Sequence, residues 1–302
     1  MRVAAILGPG ASSKDLKLFQ EASDATWLTG LPAARTEADA ILIFGGDGTV
    51  HRHLPDLVRL QLPILVVPCG SGNDFARALG FRGVSDSLAA WRRFVLDRHN
   101  LRVIDLGVIT SLARTGEASA PQPDTQRQFY FCTVGGVGLD SEAARRANRL
   151  PRWMRGNGGY ALALLLALFK YAPAGMKISH SAQPPAEQQT KPIFLAAFAN
   201  APAYGGGMKI APRALLDDGK LDICVIHKID KLKLICLFPT VYFGRHLNVA
   251  EVEYFQTARV ILESEKPLDV YADGEFVCRT PIEVSVARGA LSVIVPPSRA
   301  PV

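Results

Sequence analysis

An α/β domain followed by a β-rich, mostly antiparallel domain is the architecture this 302-residue sequence predicts. Three observations lead to it. Up to about residue 100, short unbroken apolar runs alternate with helix-like stretches, the pattern of strands buried on both faces of a parallel sheet. From about residue 101, strand-like segments dominate and are separated by Gly, Pro and Asp turns. The composition, 48% hydrophobic and 21% charged, supplies a sizeable core and argues against a disordered chain.

The elements follow in order. In the first domain "RVAAIL" (2–7), "AILIF" (40–44) and "ILVV" (64–67) read as strands. Helices are expected over Ser13–Glu21, Val50–Leu60, Asn73–Leu79 and Ser85–Leu96. The stretch 8–39 has room for little more than one helix, so a trimmed unit is expected there. In the second domain the strands are "RVIDLGVI", "FYFCTVGG", "MKISHS", "IFLAAFAN", "KLDICVI", "ARVILES", "LDVYAD" and "PIEVSVA". Helical inserts sit near 140–171 and 230–246, and the polar stretches 111–128 and 181–192 read as exposed hairpin loops. A last strand, "LSVIVP" (291–296), is able to close either domain.

The formal net charge of +6 suits nucleotide phosphates or anionic lipid. No aromatic-basic interleaving marks a nucleic-acid surface, so no nucleic-acid partner is expected. Five dispersed cysteines, with no CxxC pair and with apolar neighbours, read as reduced, buried thiols. The opening "MRVAAILGPG" has too short an apolar stretch for a signal peptide. The longest apolar run, "YALALLLALF" (160–169), is half the length of about 20 residues that a spanning helix needs. A soluble or peripheral, cytoplasmic protein is expected, and a homodimer is left open.

Two glycine-rich loops follow consecutive strands. In "ILIFGGDGTV" (41–50), Gly45, Gly46 and Gly48 let backbone amides approach a bulky anion, and Thr49 offers a hydroxyl. Asp47 fits beside phosphate only through a cation or an incoming hydroxyl; the plain alternative is a helix cap. In "VVPCGSGNDFARALG" (66–80), Gly70 and Gly72 again clear space and Ser71 supplies a hydroxyl. Asn73 and Asp74 stand where a helix begins, as nucleotide-side polar groups or as caps.

These residues carry a resemblance. "GGDGTV", "PCGSGNDFARALG", "IDLGVI" (104–109), "FCTVGGVGLD" (131–140), "ANAPAYGGGMKIAPRALLDDGKLDICVI" (199–226) and "VYADGEF" (270–276) resemble, in order, the diacylglycerol kinase catalytic family. That family includes soluble bacterial lipid kinases and sphingosine kinases. "GGDGT" alone is shared with NAD kinases and phosphofructokinases, whereas "NDFAR" points to the diacylglycerol-type branch. The resemblance covers nearly the whole chain.

It implies a two-domain, NAD kinase/diacylglycerol kinase-like fold. A Rossmann-like nucleotide domain would span 1–100, completed by 291–302 if the last strand returns to it. A β-sandwich domain for the lipid substrate would span 101–290. The implied reaction moves the γ-phosphoryl of ATP to a lipid hydroxyl, at the inner face of a membrane, with diacylglycerol or a related lipid as acceptor. Gly45, Gly46, Asp47, Gly48, Thr49, Val50 and Ser71 match the nucleotide loops, with Asp47 the active acid and Asn73 and Asp74 behind them. Glu275 of "ADGEF" is the implied general base, with Asp273 as fallback, and burial is expected to raise the base's pKa; the plain alternative is a β-hairpin turn, which Asp-Gly signals. Leu215 and Lys220, through carbonyls, and Asp218, through its carboxylate, match a structural Mg²⁺ segment. Asp105 of "IDLG" is a weaker candidate, for a water network between this metal and the cleft or as a plain strand-end acid.

Departures matter too. The opening loop "ILGPGASSK" (6–14) lacks the family's asparagine, although Gly8 and Gly10 remain available to nucleotide. Thr36 is the candidate for a threonine contact whose usual helix has no room here. His51 and Arg52 replace an Asn-Glu pair. Two alternatives stay open: an NAD kinase-like small-molecule kinase, which shares the "GGDGT" loop, and a catalytically weak nucleotide- or lipid-binding member, which the altered opening loop and the missing Asn-Glu pair would suit. Arg-rich "ARRANRLPRWMRG" (144–156) reads as a surface for anionic headgroups or as a solvated helix end and loop. "YALALLLALFKYAP" reads as a core helix or as the wall of an acyl pocket, and "AYGGGMKIAP" (203–212) as a tight connection or a wall of the site.

Overall fold

The computed structural model describes residues 1–112, 127–149, 160–180 and 189–296. Most of both expected hairpin loops, and the 150–156 end of the arginine-rich stretch, lie outside the described residues. The chain divides into two compact units: Met1–Asp105 together with the segment from Arg288, and Leu106–Ala287.

In unit 1 the apolar runs become parallel strands. β1 (Arg2–Leu7) lies beside β3 (Ala40–Gly45), and β3 beside β4 (Ile64–Pro68). Every β3 residue is buried, as expected of a strand covered on both faces. One strand was not expected: β2 (Thr26–Thr29) pairs with β1 in parallel at the margin of the sheet. Helix α1 (Ser13–Glu21) opens with a capping box, Ser12 and Asp15 each accepting from the other's backbone N–H. Helix α2 (Asp47–Leu60) buries Val50, Leu54, Leu57 and Leu60, one stripe at helical spacing. α3 (Asp74–Ala78) is a single short helix, and α4 (Val84–Asp97) buries Ala90, Trp91 and Phe94. The end of β15 (Ile282–Ile294) joins β4 in parallel, with Val293 opposite Ile64.

Unit 2 is antiparallel. β7 (Val134–Gly138), β9 (Lys191–Ala199), β10 (Leu221–His227) and β11 (Val252–Thr257) pair in that order. On the far side of β7 come β13 (Asp269–Ala272) and then β14 (Glu275–Arg279). β8 (Ala174–His180) bonds β9 and β12 (Arg259–Ser264), and β12 bonds the start of β15. The second half of β5 (Leu101–Ser111) pairs with β6 (Gln128–Phe131).

Alternation sends Ala196, Phe198, Ile223 and Val225 into one core and Leu195, Ala197, Cys224 and Ile226 into another. The second core lies under three helices: α5 (Leu139–Ala147), α6 (Tyr160–Lys170) and α7 (Lys231–Val241).

Three further readings are corrected. "FYFCTVGG" is two strands, broken at Cys132–Thr133, because a distant carboxylate takes both amides there. "PIEVSVA" and "LSVIVP" form one continuous strand, β15. β11 and β14 were not expected; both mix polar and apolar residues and expose several of them.

Candidate functional site

Because β1, β3 and β4 run parallel, the loops after them emerge on one side of the unit 1 sheet. They are in backbone contact. Gly8 N–H donates to Phe44 O at 2.7 Å, and Cys69 N–H to Gly45 O at 3.1 Å. Glycine is required where the chains touch: a β-carbon on Gly70 would lie 2.4 Å from Gly46 Cα, and one on Gly10 2.1 Å from Cys69 O. We expect Gly70→Ala to lower the thermal midpoint, readable by calorimetry, because the obstacle is backbone and cannot rotate away. The expected burial of the cysteines holds for Cys132 and Cys224 but not for Cys236, which is exposed on α7; half-buried Cys69 is held as a thiol, pushed up to about 11 by burial and then by Asp15.

The Asp47 carboxylate accepts from Asp74 N–H at 3.0 Å and Phe75 N–H at 2.9 Å. It therefore ties the start of α2 to the start of α3. Asn73, left-handed at φ 57°, accepts from Gly70 N–H at 3.0 Å and donates to Gly70 O at 2.7 Å. Asp74 is buried and pairs with Arg77 at 2.5 Å.

Thr49 fills the space below Gly8 and Gly45, where a β-carbon on either would come within 2.5 Å of its Oγ1. The Val50 side chain is in the core and its N–H donates to Gly46 O, inside the helix. Ser71 is exposed beside these loops. Thr36 is exposed in a one-turn helix, Arg35–Glu37, on the connection into β3. No side chain caps α2 at Gly46, and an uncapped helix start with glycine amides around it is suited to an anion.

In unit 2 the two carboxylates of "ADGEF" differ. Asp273, left-handed at φ 49° and 9% exposed, accepts from Cys132 N–H at 2.9 Å, Thr133 N–H at 2.8 Å and Thr133 Oγ1 at 2.5 Å. It is a clamp with its lone pairs engaged. Glu275 is exposed at the first position of β14. The burial expected of a general base is thus found at Asp273 and not at Glu275, because the hairpin turns Asp273 inward onto the β6–β7 break. Asn148, just past α5, donates to Gly274 O at 2.7 Å and holds the turn.

The predicted metal segment precedes β10. Leu215 is exposed, Gly219 has φ 71°, and Lys220 N–H donates to Asp218 Oδ1 at 3.0 Å. Asp222 is buried and accepts from Tyr254 Oη at 2.5 Å and Gln256 Nε2 at 3.2 Å. Burial pushes its carboxyl up, and the neighbouring Asp218 adds to this. Among the described residues no three His, Cys, Asp or Glu are grouped to hold a metal. The predicted set of two carbonyls and one carboxylate is oxygen-only, which fits a hard cation that keeps several waters. Asp105, in unit 1, is buried and accepts from Gly289 N–H at 2.7 Å.

Sequence reasoning passed over Thr133, Asn148, Asn200, Asp140 and Tyr204. Asn200 is buried and its N–H donates to Thr133 O at 2.8 Å, bracing the β6–β7 break from the other side. The available signal was a few polar residues inside otherwise apolar, glycine-rich segments. Beneath α5, α6 and α7 lies an apolar cavity of about 40 Å³, lined by Leu139, Leu168, Leu195, Ile226, Leu237 and Tyr204 among others.

Two family models match the chain. The diacylglycerol kinase catalytic domain matches residues 4–109, and the YegS C-terminal NAD kinase beta sandwich-like domain matches residues 133–295. A diacylglycerol kinase of Mycobacterium tuberculosis is 34% identical over 276 residues, 91% of this chain and 82% of the relative. A diacylglycerol kinase of Bacillus subtilis (strain 168) is 27% identical over 270 residues, 89% of this chain and 81% of the relative. The crystal structure of a diacylglycerol kinase from Bacillus anthracis str. Sterne shares the fold, with a TM-score of 0.68 at 19% identity, covering 98% of this chain and 97% of that one.

Proposed function

Because the chain belongs to the diacylglycerol kinase catalytic family, with a YegS-type C-terminal domain, we propose that it transfers the γ-phosphoryl of ATP to the free hydroxyl of diacylglycerol. The 34% identity to a diacylglycerol kinase along 91% of the chain carries the choice of lipid. The lining of the unit 2 cavity is apolar, as an acyl chain requires, and at about 40 Å³ the cavity would have to widen to admit one.

The glycine loops of unit 1 hold the triphosphate by main-chain N–H groups and the start of α2. Asp47 keeps those loops in register through α3. Glu275 takes the proton of the lipid hydroxyl as its oxygen bonds to the γ-phosphorus and the bond to the β-phosphate oxygen breaks. Asp273 holds the turn that carries it. Leu215, Asp218 and Lys220 would hold Mg²⁺, which when bound supplies positive charge that braces the loop.

Among the described residues no helix is long and apolar enough to cross a membrane. We assign docking to the end of α5, as a peripheral contact at the inner, cytoplasmic face. Glu142 is paired with Arg145 at 2.6 Å and Arg146 at 2.7 Å, so the group keeps a net positive charge. Reversing Arg146 and Arg149 to Glu should cost on the order of 1 kcal/mol per arginine in binding to vesicles containing phosphatidylglycerol. Co-sedimentation measures this, and unchanged binding would remove α5 from the docking surface.

The test of function is transfer of radiolabelled phosphate from ATP across a panel of diacylglycerol, monoacylglycerol, phosphatidylglycerol, ceramide and sphingoid base. Diacylglycerol should be labelled best. Labelling confined to another lipid, or to a soluble acceptor such as NAD, would replace the proposal.

A further inference from the structure

The glycine cluster at 205–207 has found no role so far. Gly205, Gly206 and Gly207 have φ of 59°, 87° and 105°, a left-handed run that a β-carbon disfavours. It folds the chain so tightly that Tyr204 and Met208 exchange both main-chain hydrogen bonds, at 3.1 and 2.9 Å. Both side chains then line the apolar cavity of unit 2.

Tyr204 is the one oxygen-bearing side chain among the described residues of that lining. Its hydroxyl donates to Asp140 Oδ1 at 2.5 Å. Asp140 is 3% exposed. Its other oxygen lies so close to β7 that a β-carbon on Gly136 would be 2.2 Å from it. Leucine, isoleucine and methionine in the lining can change rotamer at little cost. Tyr204 cannot swing away without stripping a buried carboxylate of a donor, a change that is costly in a dry interior. The ring is therefore a wall held by a hydrogen bond as well as by packing, in a cavity where Phe238 packs against Tyr242 and the leucines and Met208 are the sides that yield.

We propose that Tyr204, locked by Asp140, is a specificity-determining residue that limits the length of acyl chain the cavity admits. The inference rests on the cavity being the acyl site proposed above. A pocket with one immovable wall charges each added methylene with displacing packed atoms, while one with only flexible walls accommodates it.

The test uses the full chain as wild type, Tyr204→Phe and Tyr204→Leu. Tyr204→Phe keeps the ring and loses the lock; Tyr204→Leu removes the wall. Displacement of a fluorescent acyl probe by dihexanoyl, dioctanoyl, dilauroyl and dipalmitoyl glycerol reads selectivity without catalysis. Phosphoryl transfer to the same lipids is measured in parallel.

Relative to wild type, Tyr204→Leu should raise the long-to-short preference about tenfold and Tyr204→Phe by a smaller factor in the same direction. Equal weakening for all chain lengths, in either folded variant, would overturn the inference. If Tyr204→Leu does not fold, Tyr204→Phe decides alone. Wild-type binding without transfer to any of these lipids would overturn the kinase reading and leave the selectivity result standing. If none of these lipids displaces the probe from the wild type, the inference is overturned, and the kinase reading stands or falls on the transfer assay.

Discussion

Glu275→Gln is expected to lower kcat for lipid phosphorylation by about 10²- to 10⁴-fold, the usual contribution of a positioned base, with thermal unfolding unchanged. The side chain is exposed at the start of β14, so the amide replaces the carboxylate without disturbing a core. Asp273→Ala should behave differently. It strips the Cys132 and Thr133 amides and the Thr133 hydroxyl of their acceptor. Unsatisfied buried donors of this kind cost roughly 3 kcal/mol together, which lowers the thermal midpoint by roughly 6–12 °C. Steady-state kinetics and calorimetry on both variants separate base from clamp. Full activity in Glu275→Gln, with loss confined to Asp273 variants that remain folded, would move the proton acceptor to Asp273.

Asp47→Ala carries the second large effect. Its carboxylate is the shared acceptor of the Asp74 and Phe75 amides, so removal uncaps α3 at a cost of about 1 kcal/mol. The greater loss should be in catalysis. The 69–73 loop is packed against Gly46 with no slack, and a small displacement of phosphate-holding amides is enough to cost about 100-fold in kcat/KM for ATP. Asp47→Asn keeps one acceptor oxygen but turns an NH₂ toward the other amide, so it should recover only part of the stability. If it also recovers full activity, the negative charge has no part in the reaction. If ATP binding and turnover survive Asp47→Ala, the glycine loops are not the nucleotide site.

The parallel strands of unit 1 were legible because burial on both faces leaves unbroken apolar runs, as at 40–44. Thr26–Thr29 was not, because a marginal strand needs no such run. The hairpin of "ADGEF" announced itself through Asp-Gly. Which of its carboxylates stays free did not, because the donors that occupy Asp273 come from Cys132 and Thr133, about 140 residues earlier. The same non-local contact hid the break between β6 and β7. Glycine spacing marked two loops after neighbouring strands, but the demand for glycine at Gly70 comes from Gly46 and emerges only when the loops pack. Tyr204 looked like an ordinary aromatic in a glycine turn until its hydroxyl met Asp140.

The pairing of Val293 with Ile64 bears on how the protein is born. Asn100 and Val295 also exchange bonds, with Val295 N–H donating to Asn100 O at 2.9 Å and Asn100 Nδ2 to Val295 O at 2.8 Å. During synthesis the ribosome delivers everything between these partners before the first unit can finish its sheet. The amino-terminal third must wait, with the flank of β4 open, while the second unit emerges and folds. An excised 1–105 fragment should therefore be a poor expression product, and a version with the carboxyl-terminal strand grafted on should rescue it.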